Sequence, residues 1–324
     1  MNATKRPGRL GVLFLGGAKR VAMARMFRKA ADARGLECDI YGYELSRRCA
    51  LACEATEIFE GLRWSDDAVY ADLDRVVCEN DIDIVVPFVD GAVGVAAEYA
   101  RHRATVPVFS PTGDRAVSEL MFDKVEAAAF FESKYLPIPA TYHYSDSVGK
   151  LIAKPRRGSA SKGIVLIDSE DDLSRLDDSE YLIQERIDRR EEITVDCYVG
   201  VHSGLAVAVS PRVRRDVAGG EVVDTITVYN SAAVELVKRT LEAAELRGAV
   251  TVQLIRDLDN GRLMIMEINP RLGGGAVASV HAGVDLPGLI IDDCLETDFA
   301  MQYPVAGVET LRYLDDVVFY PDKQ

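Results

Sequence analysis

The chain has 324 residues, 48% of them hydrophobic, and a mean hydropathy of +0.01, a globular composition too long for one small core, so two or three packed units are expected. Its 52 acidic residues against 38 basic ones give a net charge of −14, and no basic run reverses the sign locally, which argues against nucleic acid and anionic membrane as partners. Six scattered cysteines without a C-x-x-C pair argue against a zinc site or disulfide framework, and an N-terminal apolar run of only about six residues is too short for a signal core or a membrane span, so a cytoplasmic location is expected.

From residue 10 to 112, short aliphatic runs alternate with helical patterns. "LGVLFLGG" leads into "AKRVAMARMFRKAADARG", where Val21, Met23, Met26 and Ala30 fall near helical spacing and Gly35 marks a helix end. "CDIYGYE", a helical stretch around Leu73 to Cys78, and "IDIVVPFVDG" continue the pattern. Such runs read as buried parallel strands, hence an open doubly wound α/β unit over residues 1–112. Ligands of these sheets bind beyond the carboxyl ends of the strands, where Lys19, Arg20, Glu44 and Asp90 stand, although turn and cap roles are as common there.

The "SPTGD" cluster at Ser110 to Asp114 breaks the alternation. Residues 113–183 then read as a small α+β unit: one helix, "RAVSELMFDKVEAAAFFESKY", a Pro-punctuated connector, and two strands around a small-residue loop in "LIAKPRRGSASKGIVLI". Over residues 184–324 strands dominate ("EITVDCYVG", "LAVAVSPRVR"), interrupted by a helix from Ala232 to Glu245 and followed by "AVTVQLIRDLDNGRLMIMEIN".

That last stretch reads as a hairpin. "DNG" at Asp259 to Gly261 suits a three-residue loop with glycine at its left-handed position, which would set Leu258 opposite Arg262. Counting back, Gln253 falls opposite Glu267 and Thr251 opposite Asn269, and side-chain alternation puts Gln253, Glu267 and Asn269 on one face. Three oxygen-bearing side chains on an apolar sheet suit a hard cation such as Mg2+, with Mn2+ as an alternative, that shares phosphate oxygens with a nucleotide. Arg271, just past Pro270, is placed to grip the same phosphates. Taken alone, the pattern reads equally well as a satisfied polar pair in a core beside a surface arginine.

A second constellation tips the balance. "AKPRRGSASKG" sets Lys154 at a strand end, followed by Gly158, Ser159, Ala160, Ser161 and Gly163, residues small enough for backbone N–H groups to approach phosphate closely. It is no P-loop, because Ile164 and Val165 stand where Lys-Ser/Thr is required. Nor does "GGAKRVAMA" carry G-x-G-x-x-G, which weakens a nicotinamide-dinucleotide reading with Glu44 on the ribose.

The ordered set resembles the ATP-grasp superfamily, most closely the synthetase halves of carbamoyl-phosphate synthetase and their free-standing relatives, over nearly the whole chain. The resemblance implies a Rossmann-like pre-ATP-grasp domain at 1–112, an ATP lid at 113–183 and a C-terminal grasp domain with the metal site at 184–324. It also implies that Lys124, Lys154 and the loop from Gly158 to Gly163 bind the phosphates of ATP. Glu185 and Ile187 would meet the adenine, Glu192 the ribose, and Gln253, Glu267 and Asn269 the metal. Gln253 stands where many family members carry a carboxylate. A single unit without a glutaminase or allosteric domain turns the expectation away from carbamoyl phosphate, toward a stand-alone ADP-forming carboxylate–amine ligase acting through an acyl phosphate on small, amino-acid-like molecules. Arg271 and Lys154 would carry the phosphoryl transfer. Arg212, Arg214, Arg215 and Asp90 are candidates for holding substrate, although a solvated basic strand end explains the three arginines nearly as well. The alternatives are a carboxyphosphate or carbamate kinase and a non-catalytic ATP-binding regulator. The resemblance leaves room for a homodimer. The four histidines, His102, His143, His202 and His281, neighbour no nucleophile motif, so histidine-based catalysis finds no support.

Overall fold

The computed structural model describes residues 8–143, 150–158, 162–177 and 179–320. Among these residues there are three sheets. The first runs in the order β3-β2-β1-β4 and is parallel, from β1 (Arg9–Leu15), β2 (Glu37–Glu44), β3 (Glu57–Glu60) and β4 (Ile84–Pro87). Apolar side chains on both faces of β1 make this possible. Val12 and Phe14 enter one core, Leu13 and Leu15 the other. Helices α2 (Val69–Glu79) and α3 (Asp90–Glu98) cover the second face. The first face is closed by α1 (Val21–Asp32), whose Met23, Phe27 and Ala30 fall at helical spacing, and by Leu286, Leu289 and Ile290 from the far end of the chain. The N-terminal unit is thus completed by C-terminal residues, something no local pattern announces.

The single helix expected at 115–135 is two, α4 (Arg115–Phe122) and α5 (Lys124–Ser133). They break at Asp123, which is extended (φ −97°, ψ 104°) and accepts hydrogen bonds from the N–H groups of Val125 and Glu126 as the α5 N-cap. Arg156 Nε donates to the same carboxylate at 2.6 Å, tying α5 to the second sheet. That sheet is antiparallel, order β6-β5-β7, from β5 (Leu151–Pro155), β6 (Val165–Ile167) and β7 (Tyr181–Glu185), with α6 (Glu170–Ser174) in the connection. β7 runs two residues beyond the expected limit at 183.

The third sheet has six strands in the order β12-β11-β8-β9-β10-β13: β8 (Arg190–Val199), β9 (Ala206–Ala218), β10 (Glu221–Thr227), β11 (Gly248–Asp257), β12 (Leu263–Asn269) and β13 (Glu309–Leu311). Helix α7 (Ser231–Ala243) lies between β10 and β11 in the chain, and α8 (Val277–His281) and α9 (Leu286–Cys294) follow β12. Alternation divides this sheet. Ile193, Val195, Val250, Val252 and Ile268 pack under α7, while the residues between them, Thr194, Thr251, Gln253, Glu267 and Asn269, wall an open cleft. Among the described residues no helix is long and apolar enough to cross a membrane.

Gln253 does pair with Glu267 and Thr251 with Asn269, but by a different route from the simple count. The turn holds four residues, closed by the Asp257 N–H donating to the Arg262 carbonyl at 2.9 Å, with Gly261 at φ +79°. Arg256 therefore faces Leu263 and Leu254 faces Ile265. An extra residue in β12, Met266, then restores the register as a β-bulge. Two one-residue departures from the expected hairpin cancel.

Candidate active site

The cleft holds about 570 Å³ and lies between the three-stranded sheet, the polar face of the six-stranded sheet and the carboxyl edge of the parallel sheet. Its floor is the bulged hairpin. Both Met266 and Glu267 wall the cleft although they are consecutive, because the bulge suspends alternation there. At one end Pro139, Ile152, Ile187, Ile255 and Met266 form an apolar slot. At the other, Arg20, Asp90, Arg212, Glu221 and the glycines Gly273, Gly274 and Gly275 close it.

Between the ends stand Lys154, Lys124, Arg271 and the Gln253, Glu267 and Asn269 face. Lys154 Nζ donates to Gln184 Oε1 at 2.8 Å; burial pushes its pKa down to about 8, against the opposing pull of the Glu267 carboxylate. Lys124, the first residue of α5, donates to the Gly158 carbonyl at 2.8 Å. Gly158 (φ +129°) and Gly163 (φ +74°) both take backbone conformations that favour glycine. Ser159, Ala160 and Ser161, expected in the same loop, lie outside the described residues. Asn269 is 4% exposed and accepts from Arg271 Nη2 at 3.3 Å. Arg271 Nε also donates to Asp90 Oδ1 at 2.6 Å, so Asp90, at the start of α3, is a partner of the arginine. The glycine run that follows has a packing reason. A Cβ on Gly275 would stand 2.5 Å from Val222 Cγ1 and 2.7 Å from the Arg212 guanidinium nitrogens.

Glu185 and Glu192 line the cleft, and both carboxylates are engaged. Glu185 accepts from the Ala140 N–H at 2.8 Å and from Arg262 at 3.0 and 2.7 Å. Glu192 accepts from Arg190 at 3.2 Å and from Arg214 at 3.0 Å.

The three arginines grouped from "SPRVRRD" separate. Arg215 points off the cleft and pairs with Glu309 at 2.9 Å, because strand alternation opposes it to Arg212 and Arg214; its expected substrate role falls. Arg212 is 2% exposed, and its Nε and Nη2 are committed to Asp196 at 2.8 and 3.3 Å, which makes it a buried structural pair in the cleft wall before anything else. Arg214 faces the cleft with Glu192 as partner. Glu44, the expected ribose ligand of the dinucleotide alternative, instead turns back on the β1–α1 turn. Burial pushes its pKa up to about 7 while the N–H groups of Gly17 and Ala18 donate to it. Its carboxylate thereby fills the backbone donors that a bound anion would need. His281 is exposed at the end of α8.

Sequence reasoning missed Gln184, which orients Lys154, and Asp196, which neutralises Arg212. Strand alternation through "DCYVG" and "YLIQE" was the available signal for each. Glu221 follows the Gly219–Gly220 turn and carries no motif at all.

A family model described as ATP-grasp in the biosynthetic pathway with Ter operon matches residues 177–315. No curated protein matches the sequence. Among solved structures, an ADP complex of N5-carboxyaminoimidazole ribonucleotide synthetase superposes with a TM-score of 0.70 at 17% identity, covering 94% of this chain and 80% of that one. Biotin carboxylase from Campylobacter jejuni, as a β-γ-ATP complex, gives 0.71 at 15% identity over 93% of this chain and 73% of that one. The biotin carboxylase domain of 2-oxoglutarate carboxylase from Hydrogenobacter thermophilus, with MgADP, ADP and bicarbonate, gives 0.70 at 15% over 91% and 71%. At such identities the likeness is one of fold.

Proposed function

We propose that this chain, which has the ATP-grasp fold, is an ADP-forming ligase that activates a small-molecule carboxylate and joins it to an amine. The observation that carries the reading is the convergence of Gln253, Glu267 and Asn269 with Lys124, Lys154 and Arg271 in one cleft that also has an apolar slot. The donor set fits a magnesium ion. It offers one carboxylate and two amide oxygens, and among the described residues nothing hydrogen-bonds or ion-pairs with Glu267, while no cluster of three His, Cys, Asp or Glu makes a complete protein cage. A hard cation of this kind draws its remaining oxygens from nucleotide and water. Held by Glu267, Asn269 and Gln253, magnesium or manganese would neutralise charge on the β- and γ-phosphate oxygens.

In this reading the apolar slot takes the adenine, Glu192 faces the ribose, and Lys124 and Lys154 hold the phosphates. A substrate carboxylate oxygen attacks the γ-phosphorus, the bond from that phosphorus to the β–γ bridging oxygen breaks, and ADP leaves. Arg271 offsets charge on the transferring group; the task is positioning and electrostatics, and no protein nucleophile is required. Asp90 fixes the Arg271 guanidinium for this role. The amine, having lost a proton, then attacks the acyl carbon, phosphate leaves, and an amide remains. Coupled ADP detection with amino acids and amines, singly and in pairs, tests the proposal. ADP release is expected only when an acid and an amine are both supplied, and release that ignores every acid would overturn it.

A second reading has bicarbonate as the acid and carboxyphosphate as the activated species. The presence of bicarbonate beside MgADP in one structural neighbour favours it. Incorporation of labelled bicarbonate into product, with no other acid present, would select it.

The Lys154 position gives a pH prediction. Its pKa in the free protein is about 8, below the ordinary lysine value of 10.5. Phosphate favours the ammonium form. Below about pH 8 the charge is already present and binding takes up no proton; above it, nucleotide binding must protonate Lys154, so affinity falls by up to about tenfold per pH unit until the bound-state pKa is reached. Calorimetry at about pH 9 in two buffers of different ionisation enthalpy is expected to show uptake approaching one proton. Lys154→Arg is expected to abolish that uptake.

A further inference from the structure

Among the residues lining the cleft, Arg20 has a long ion pair. Arg20 side-chain exposure is 16%, and the carboxylate nearest to it, Glu221 Oε1, stands 3.6 Å from Nη1, beyond hydrogen-bond reach. Glu221 is shared: its Oε2 accepts from Arg312 Nη1 at 2.7 Å. Burial pushes the Arg20 pKa down, Glu221 opposes this, and the neighbouring positive charges of Arg312 and Arg271 add to the depression. Glu221 is thus the shared carboxylate of Arg20, Arg312 and Lys19, while Arg271 adds its positive charge beside Arg20, and the absent side chain of Gly274 lets the Arg20 guanidinium lie close against the backbone, where a Cβ would stand 3.0 Å from Nη1. A buried guanidinium that is incompletely neutralised gains most from an incoming anion.

We propose that this end of the cleft binds the zwitterionic head of an α-amino acid, its carboxylate on Arg20 and its ammonium on Glu221 Oε1. Each group finds what it lacks. Arg20 gains an anion in planar two-point contact, and Glu221 Oε1, the oxygen not held by Arg312, gains a donor. An uncharged molecule would leave Arg20 under-neutralised, and a plain dicarboxylate would bring like charge against Glu221. Arg271 lines the same cleft and its charge reaches Arg20, so in the ligase reading the bound carboxylate would lie toward the transferring group. The inference rests on the ligase reading only for the use made of the molecule, since binding itself needs no turnover.

The test is equilibrium dialysis of the full chain, with magnesium and a non-hydrolysable ATP analogue, against a pool of the common L-α-amino acids. At least one is expected to be retained, and its N-acetyl and carboxamide derivatives are expected not to displace it. Arg20→Ala and Glu221→Gln are each expected to weaken retention at least about tenfold, the loss of one charge-assisted contact, with affinity for the ATP analogue unchanged. Retention of none, displacement by the derivatives, or equal retention by the variants would overturn the proposal. The derivative series decides even if a variant folds poorly. Retention of an amino acid with no ADP release in the coupled assay, run with ATP and paired acids and amines, would sink the ligase reading and leave this site standing, whereas ADP release in that assay with no amino acid retained in the dialysis would do the reverse.

Discussion

Glu267→Gln is expected to lower ATP-dependent product formation by at least about a hundredfold while leaving the thermal unfolding transition nearly unchanged. The substitution keeps the size of the side chain and one oxygen but removes the only carboxylate among the three hairpin side chains. Gln253 and Asn269 present neutral amide oxygens, so the charge that would hold a divalent cation is concentrated at residue 267. Among the described residues nothing hydrogen-bonds or ion-pairs with this carboxylate, and its charge bears on Lys154 only from a distance, so the fold has little reason to respond. Steady-state ADP release at saturating ATP, with magnesium titrated, checks the prediction. Activity within a few-fold of the parent would remove this face of the hairpin from the chemistry.

Asp196→Ala is expected to destabilise the protein by about 3–5 kcal/mol, the magnitude found when a buried ion pair is broken from one side. Asp196 is 1% exposed and Arg212 2%, and the Ser279 hydroxyl also donates to the carboxylate at 2.8 Å. Removing the acid leaves a guanidinium whose Nη1 already lacks a protein partner without neutralisation inside the wall. Replacing both members together, Asp196→Leu with Arg212→Met, is expected to cost much less, because no charge is then left uncompensated. Denaturant midpoints of the single and double variants separate the two cases. A mild effect of Asp196→Ala alone would mean that Arg212 is neutralised from elsewhere.

Much of the architecture was legible because it rests on period. The buried runs of β1, β2 and β4 and the alternation in β8 and β11 are written in consecutive residues, and the same alternation gathered Gln253, Glu267 and Asn269 on one face. The break at Asp123 was written too, as an N-cap residue inside an apparently continuous helix, but helical periodicity on both sides concealed it. What could not be read was long-range. Arg271 meets Asp90 across 181 residues of chain, and Arg34 donates to Asp292 at 2.6 Å across 258. The grouping of Arg212, Arg214 and Arg215 failed for a local reason. Adjacent arginines in a strand do not make one patch, because the strand sends neighbours to opposite sides.

The irregularity at Met266 sets a distance. Side chains on the same side of a regular strand are about 7 Å apart, two residues of rise. At Met266 and Glu267 the Cα atoms are one peptide apart, about 3.8 Å. The surface therefore passes from thioether to carboxylate in roughly half the usual span. A flat ring lying on the methionine and an ion held by the glutamate would be nearest neighbours, and in a straightened β12 alternation would turn one of the two side chains away from the cleft. One surplus residue thus brings an apolar and an anionic surface of the cleft to adjacent positions on one strand.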